Sequence, residues 1–323
     1  MTVSKRFLLS FGGLFLSFGS PVVAEDWPQY RGPNTNGTTS EALPHTEWPS
    51  KGPRAVWNAE TNTGFSSFVH GAGHVFTIVR RDFEGKDHET CIALNAETGK
   101  EAWAAPLSLI EWNGGGDAGA RDNNGGDGPR STPAFSDGHV YTIDNEIVVR
   151  CHDVATGKEK WKRDIIKDHN GRNIKWDNAA SPLIVGNHLF LAGGGPGESL
   201  LALNKKDGSV VWKQHDHQMT HATPVFAEIH GKRQIIFFTQ KGLIGVAELT
   251  GDQLWHYSYP YKVSTAASPV VYEDIVFCSA GYGVGGGACK VVKKGDGFDI
   301  EEVWRRPNKV INHWSTPVVK DGY

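Results

Sequence analysis

Cysteine, long apolar runs and surplus basic charge are all in short supply in this sequence. Its 323 residues include four Cys and no Cys-x-x-Cys, which argues against a cysteine-held metal centre. Lys and Arg number 33 against 36 Asp and Glu, a net charge of −3, and that balance argues against nucleic acid as a main partner. Beyond residues 1–24 no stretch approaches the roughly 20 apolar residues that cross a bilayer, so no transmembrane helix is expected in the mature chain. No Gly-x-Ser-x-Gly, no Ser/His/Asp set and no paired carboxylates signal hydrolytic or acid–base chemistry. No catalytic residue is assigned.

Glycine and tryptophan are abundant instead, at 39 and 11 residues. Many turns combined with many large anchors describe an all-β chain of tight hairpins, not a helical bundle. Hydrophobic residues at 39% supply a packed core and argue against wholesale disorder.

Residues 1–24 read as an address. Lys5 and Arg6 form a positive start, Phe7 to Phe18 an apolar stretch, and Val22 and Ala24 stand at −3 and −1 before Glu25. A signal peptide cut after Ala24 is expected, which places the mature protein in the periplasm or outside the cell. No Cys follows the cut, so a lipoprotein is not expected. Loss of Lys5 and Arg6 takes the charge to −5. In an oxidising compartment Cys278 and Cys289, on strands expected to be neighbours, are the best-placed disulfide pair. The other reading makes the cysteines small buried hydrophobes.

A two-part repeat runs through the remaining chain. One part is Ser/Thr-Pro before an apolar run, at Pro133, Pro182, Pro224, Pro269 and Pro317, with intervals of 49, 42, 45 and 48. Ser66-Ser67-Phe68-Val69 is the same element without its Pro. The other part is a hairpin closing on Trp103, Trp161, Trp212, Trp255 and, in a degenerate copy, Trp304. Trp57 ends the last strand of a further copy. In each hairpin an Asn or Asp starts the turn and a Gly takes its positive φ. Pro at the head of a strand costs no ladder bond. Four short strands in about 45 residues, repeated in series, are the blades of a β-propeller. Each repeat Trp is expected to pack on the neighbouring blade as structural glue. Residues 25–52 read as an N-terminal extension and 53–323 as the propeller.

The phrases Ala-Glu-Thr-Gly-Lys-Glu-Ala-Trp, ending at Trp103, and Ala-Thr-Gly-Lys-Glu-Lys-Trp, ending at Trp161, resemble the tryptophan-docking motif of pyrroloquinoline-quinone (PQQ) repeat propellers. That superfamily includes quinoprotein alcohol dehydrogenases and BamB, the propeller of the outer-membrane assembly machinery. Residues 26–37, 126–133 and 279–283 resemble secreted bacterial PQQ-binding-like propellers. For the family the resemblance implies PQQ with Ca²⁺ as a possible cofactor. The chain departs from the dehydrogenases in having no adjacent Cys pair, and no calcium site or catalytic Asp maps onto it. From BamB it departs in lacking a lipoprotein Cys.

Residues just before each inner strand should ring the mouth of the central channel. Arg130, Asn178, His221, Tyr282 and His313, with Trp176 and Trp314 close by, are the candidate ligand-binding residues. Three other patterns are weaker. Gly281-x-Gly283-x-x-Gly286 matches a dinucleotide fingerprint, but a strand-like stretch follows it where a helix is required. His215, His217 and His221 have metal-like spacing on a loop between blades. Residues 113–128 combine seven Gly with Asp117, Asp122 and Asp127, which suits a lid, a partner-contact loop or Ca²⁺.

The leading expectation is an exported, non-catalytic module. It would bind a protein, glycan or small-molecule ligand on one propeller face, and a place in an envelope assembly is a further option. The alternative is a PQQ-dependent dehydrogenase. The last copy stops nine residues in, at Tyr323, so the sequence reads as five complete copies of a truncated ring of 7–8 blades, or else as an open or unusually closed one. N-terminal sequencing of the exported protein should begin at Glu25; an uncut Met1 would remove the signal-peptide reading.

Overall fold

A computed structural model describes residues 25–42, 47–110, 128–262 and 265–323. Five four-stranded antiparallel sheets follow one another along the chain, each a simple meander. Blade 1 holds β1 (Val69–Gly71), β2 (His74–Phe83), β3 (Lys86–Asn95) and β4 (Glu101–Leu109). Blade 2 holds β5 (Ala134–Ser136), β6 (His139–Ile143), β7 (Val148–Asp153) and β8 (Glu159–Asp164). Blade 3 holds β9 (Leu183–Val185), β10 (His188–Ala192), β11 (Leu200–Asn204) and β12 (Val210–Gln214). Blade 4 holds β13 (Val225–Ile229), β14 (Lys232–Thr239), β15 (Gly242–Ala247) and β16 (Gln253–Ser258). Blade 5 holds β17 (Val270–Tyr272), β18 (Ile275–Ala280), β19 (Gly285–Lys294) and β20 (Gly297–Arg306). The β-propeller of PQQ-like blades expected from the repeat is what the chain forms. Residues 1–24, read as a signal peptide, and most of the Gly/Asp-rich loop lie outside the described residues.

Trp103, Trp161, Trp212, Trp255 and Trp304 each sit in a fourth strand, directly across from a small residue: Ala93, Cys151, Ala202, Gly245 and Ala288. Directly opposed side chains share a face and crowd each other, so a small partner leaves room for the indole. A bulge follows each of these pairs. It adds a residue just before the Trp and bends the outer strand.

In blades 1 to 3 the indole reaches the next blade's turn. Trp103 Nε1 donates to the carbonyl of Val154 at 2.8 Å, Trp161 to Lys205 at 3.1 Å and Trp212 to Glu248 at 2.9 Å. Trp57, outside any strand, does the same to Ala96 at 2.8 Å. Each ring lies on the turn glycine of the blade it reaches: Gly99, Gly157, Gly208 or Gly251. A Cβ on Gly157 would stand 2.6 Å from the Trp103 ring, and its φ is +69°. That glycine is therefore demanded twice, once by the backbone and once by the ring.

Trp255 and Trp304 depart from the expected packing on a neighbour. The Trp255 ring lies over Gly245 of its own sheet, where a Cβ would be 2.3 Å away, and its Nε1 donates to Gln234 Oε1. In blade 5 the β19–β20 hairpin runs on to Gly297 and presents no glycine seat to a neighbouring ring. The seam between blades 4 and 5 is held at its rim instead. There Tyr257 Oη donates to Glu302 at 2.8 Å, and the Arg305 guanidinium lies over Tyr257 and Tyr259. Trp304 stacks within its own sheet on Phe277.

A second correction concerns the cysteines. Cys278 and Cys289 do lie on adjacent strands, but Cys278 faces Gly287 and Cys289 faces Val276. Two positions out of register, they remain free thiols, buried like Cys91 and Cys151. Burial pushes the Cys289 thiol up to about 12.

Trp103→Ala should lower stability by about 3–5 kcal/mol in denaturant titration, the usual cost of emptying a buried aromatic site. Trp103→Phe should cost about 1–2 kcal/mol, chiefly by orphaning the Val154 carbonyl.

Candidate functional site

Inner strands run from one face of the propeller to the other, so the residues ahead of them gather on a single face. The structure brings five of the six leading candidates to that mouth, in two groups. In one, Arg130 Nη1 donates to the carbonyl of Trp176 at 3.0 Å. Trp176 is held at φ +71°, is 40% exposed and carries the Lys175 ammonium over its ring. His221 lies close to both Arg130 and His313. Burial pushes its imidazole down to about 4, against the pull of hydrogen bonds to the backbone of Asp177 and Lys175.

The second group is aromatic. Tyr282 meets His313 edge to face at 4.8 Å, and Trp314 lies 5.0 Å from the same imidazole. The His313 carbonyl accepts from Ala266 N at 2.8 Å and from Thr265 Oγ1 at 3.1 Å, which fixes the connection that carries it. A Cβ on Gly281 would stand 2.7 Å from His313 Nδ1, so this part of the glycine-rich stretch serves the close approach of an imidazole. Gly285 and Gly286 go on into strand β19, which removes the dinucleotide reading.

Asn178 is not on that surface. It is buried, and its Nδ2 donates to Asp144 O at 3.2 Å and Ala180 O at 3.0 Å. It ties the blade 2 loop to the head of β9. The His215, His217 and His221 set also separates. His217 packs against His256 at 5.3 Å and bonds Thr239 Oγ1, while His221 faces the mouth.

Two features escaped the sequence reading. Beneath the mouth, Asp144 is fully buried, takes an ion pair from Arg150 and accepts from Ser108 Oγ, Glu146 N and Val148 N. An Arg inside the apolar run of β7 was the available signal, since a buried charge needs a partner. The other feature is the fate of residues 26–37, which enter the central channel. Trp27 pairs with His70 of β1, Pro28 O accepts from Phe135 N of β5, and Gln29 Oε1 accepts from Ile184 N of β9. Arg31 then donates to Thr316 O at 3.0 Å and Pro317 O at 2.7 Å. The segment thus lies against the inner strands of blades 1 to 3, deeper than the mouth.

Among the described residues, the candidate side chains at the mouth do not by themselves fit a quinone seated on a calcium ion. The mouth residues offer a guanidinium, imidazoles and aromatic rings, whereas Ca²⁺ takes carboxylate and carbonyl oxygens. The Asp144 carboxylate beneath them is saturated by its four donors. Among the described residues no three His, Cys, Asp or Glu converge as metal ligands.

Burial also pushes His217 down to about 4. Between about pH 6.5 and pH 4 the unfolded chain therefore binds protons that these folded imidazoles refuse. Stability should stay level above about pH 6.5 and fall as pH drops toward 4, with His221→Gln removing part of the slope; urea midpoints across that range would show it.

The family model described as outer membrane protein assembly factor BamB matches residues 87–320. No curated protein matches the sequence. Among solved structures, quinohemoprotein alcohol dehydrogenase from Comamonas testosteroni is 13% identical with a TM-score of 0.56, over 82% of this chain and 45% of its own. A europium-containing methanol dehydrogenase is 11% identical with a TM-score of 0.53, over 79% of this chain and 63% of its own. BamB from Moraxella catarrhalis is 12% identical with a TM-score of 0.44, over 79% and 77%. The chain spans less than two thirds of either dehydrogenase, and at these identities the likeness is one of fold. The repeat, the blades and the match over most of the sequence agree: this chain belongs to the BamB-like family of PQQ-repeat propellers.

Proposed function

We propose that this propeller is an exported, non-catalytic binding module that docks a protein partner on its mouth face. The observation that carries the reading is the composition of that face. Trp314 is 73% exposed and Tyr282 67%, and with Trp176 they surround the Arg130 and His313 groups. Trp, Tyr and Arg are the residues that most often dominate protein interfaces. The aromatic rings are held by backbone and ring contacts, so little conformational entropy is lost when a partner covers them. The matched family is described by an assembly factor, and a role in assembly is the natural extension of that description to this chain. The signal-like leader supports a place in the cell envelope. A glycan or other small ligand would use the same rings by stacking.

The competing reading, a quinoprotein dehydrogenase, rests on fold alone, and the donor set at the mouth argues against it. Sustained dye reduction with alcohols or sugars after addition of PQQ and Ca²⁺ would overturn the proposal. Chemical cross-linking in cells should trap the same partner on the wild-type chain repeatedly. Tyr282→Ala and Trp314→Ala should each weaken that complex by roughly 30-fold, the effect of removing an interface anchor worth about 2 kcal/mol. Unchanged affinity in both variants would move the interface elsewhere.

A further inference from the structure

Each inner strand has an equivalent position, the second residue after the Ser/Thr-Pro or its counterpart. In the first five copies these are His70, Phe135, Ile184, Phe226 and Val271. An antiparallel ladder alternates residues that bond the partner strand with residues whose N–H and C=O face away. The equivalent residues face away, into the channel. His70 N donates to Trp27 O at 2.9 Å, Phe135 N to Pro28 O at 2.6 Å and Ile184 N to Gln29 Oε1 at 3.0 Å. The register is the same in the next two blades, with Phe226 opposite Ile235 and Val271 opposite Val276.

The channel segment never reaches those two. It turns back on itself, with Gly32 N bonded to Gln29 O and Gly37 N to Arg31 O. Among the described residues no acceptor meets the amide of Phe226 or Val271. Both residues line a cavity of about 330 Å³ between β13, β17 and the channel segment. That volume is at the small end of the range for ligand pockets. The seam around it is unsatisfied in a second way. Successive Ser/Thr-Pro elements are linked by a backbone N–H to the next hydroxyl, as in Thr132 N to Ser181 Oγ and Ser181 N to Thr223 Oγ1. Ser268 supplies the next hydroxyl, which is buried and has no partner.

We propose that this cavity is a binding site for a short extended peptide segment. Its carbonyls would accept from Phe226 and Val271 as the main-chain carbonyls of Trp27 and Pro28 and the side-chain carbonyl of Gln29 accept in the first three blades. This is strand addition at a free edge, in which backbone bonds supply the affinity. A carboxylate is a poorer fit. Glu228 and Glu273 are part of the lining, and the Arg31 guanidinium already donates to four carbonyls. The site lies deeper along the inner strands than the mouth and does not depend on what the mouth binds.

The probe is acetyl-Pro-Gln-amide, which copies the part of the channel segment that meets β5 and β9. Titrated into the ¹⁵N-labelled mature chain, it should move the Phe226 and Val271 amides downfield to saturation and slow their exchange with water. The Arg130 and His313 amides should stay in place. Val271→Pro deletes one donor that makes no ladder bond and should weaken binding roughly tenfold, about the worth of one hydrogen bond. If that variant does not fold, the exchange rates of the two amides in the unaltered chain decide the matter. Shifts confined to the mouth, or no shift of either amide at millimolar probe, would overturn the proposal.

Discussion

The docking of an indole on the next blade's turn glycine is the contact on which this propeller depends. Within one sheet the hydrogen bonds close on themselves and leave two apolar faces uncovered. Neighbouring sheets touch along the inner strands, which are short, so their outer parts would splay without a link. The Trp supplies a large buried ring and a directed Nε1–H at that radius. The receiving turn must then be a glycine turn, and the residue opposite the Trp must be small. One contact therefore dictates three positions in each repeat, which is why the repeat survives as a readable pattern.

Where that contact is missing, other links fail with it. Between blades 4 and 5 the Trp turns inward, one hydroxyl link is missing before the pattern resumes at Ser268 N to Thr316 Oγ1, and a cavity opens along the inner strands. Blade 4 also differs in its aromatic row. Blades 1, 2, 3 and 5 place Phe76, Tyr141, Phe190 and Phe277 across from the small residue, but blade 4 has Ile236 facing Gly245. With a thinner row and no Cβ at Gly245, the indole settles on its own sheet. The polar rim of Tyr257, Glu302 and Arg305 takes over the seam.

The fold was almost wholly legible, because turn glycines, strand-leading prolines and Trp positions are local and repeat. The mouth was legible in outline. Chain order and strand direction place Arg130, His221 and His313 on one face without any coordinates. Asn178 misled because polarity and position do not reveal whether a side chain faces outward or ties two loops together beneath the surface. The free cysteines misled because strand adjacency was readable whereas register, which sets Cys278 against Gly287 and Cys289 against Val276, was not. The channel segment was invisible for a different reason. Its partners stand far away in sequence, 155 residues for Gln29 with Ile184 and 285 for Arg31 with Thr316, and no local periodicity reports such pairs.

Those separations bear on the order of folding. Residues 26–37, made early, are among the last to find their place, because their seat is assembled from four different repeats. Local hairpins need close only short loops and form early, whereas loop closure across nearly the whole chain is slow. Until Thr316 and Pro317 arrive, Arg31 has no complete site. Final seating of residues 26–37 is then a late, single step that reads whether the repeats before Thr316 are all in place.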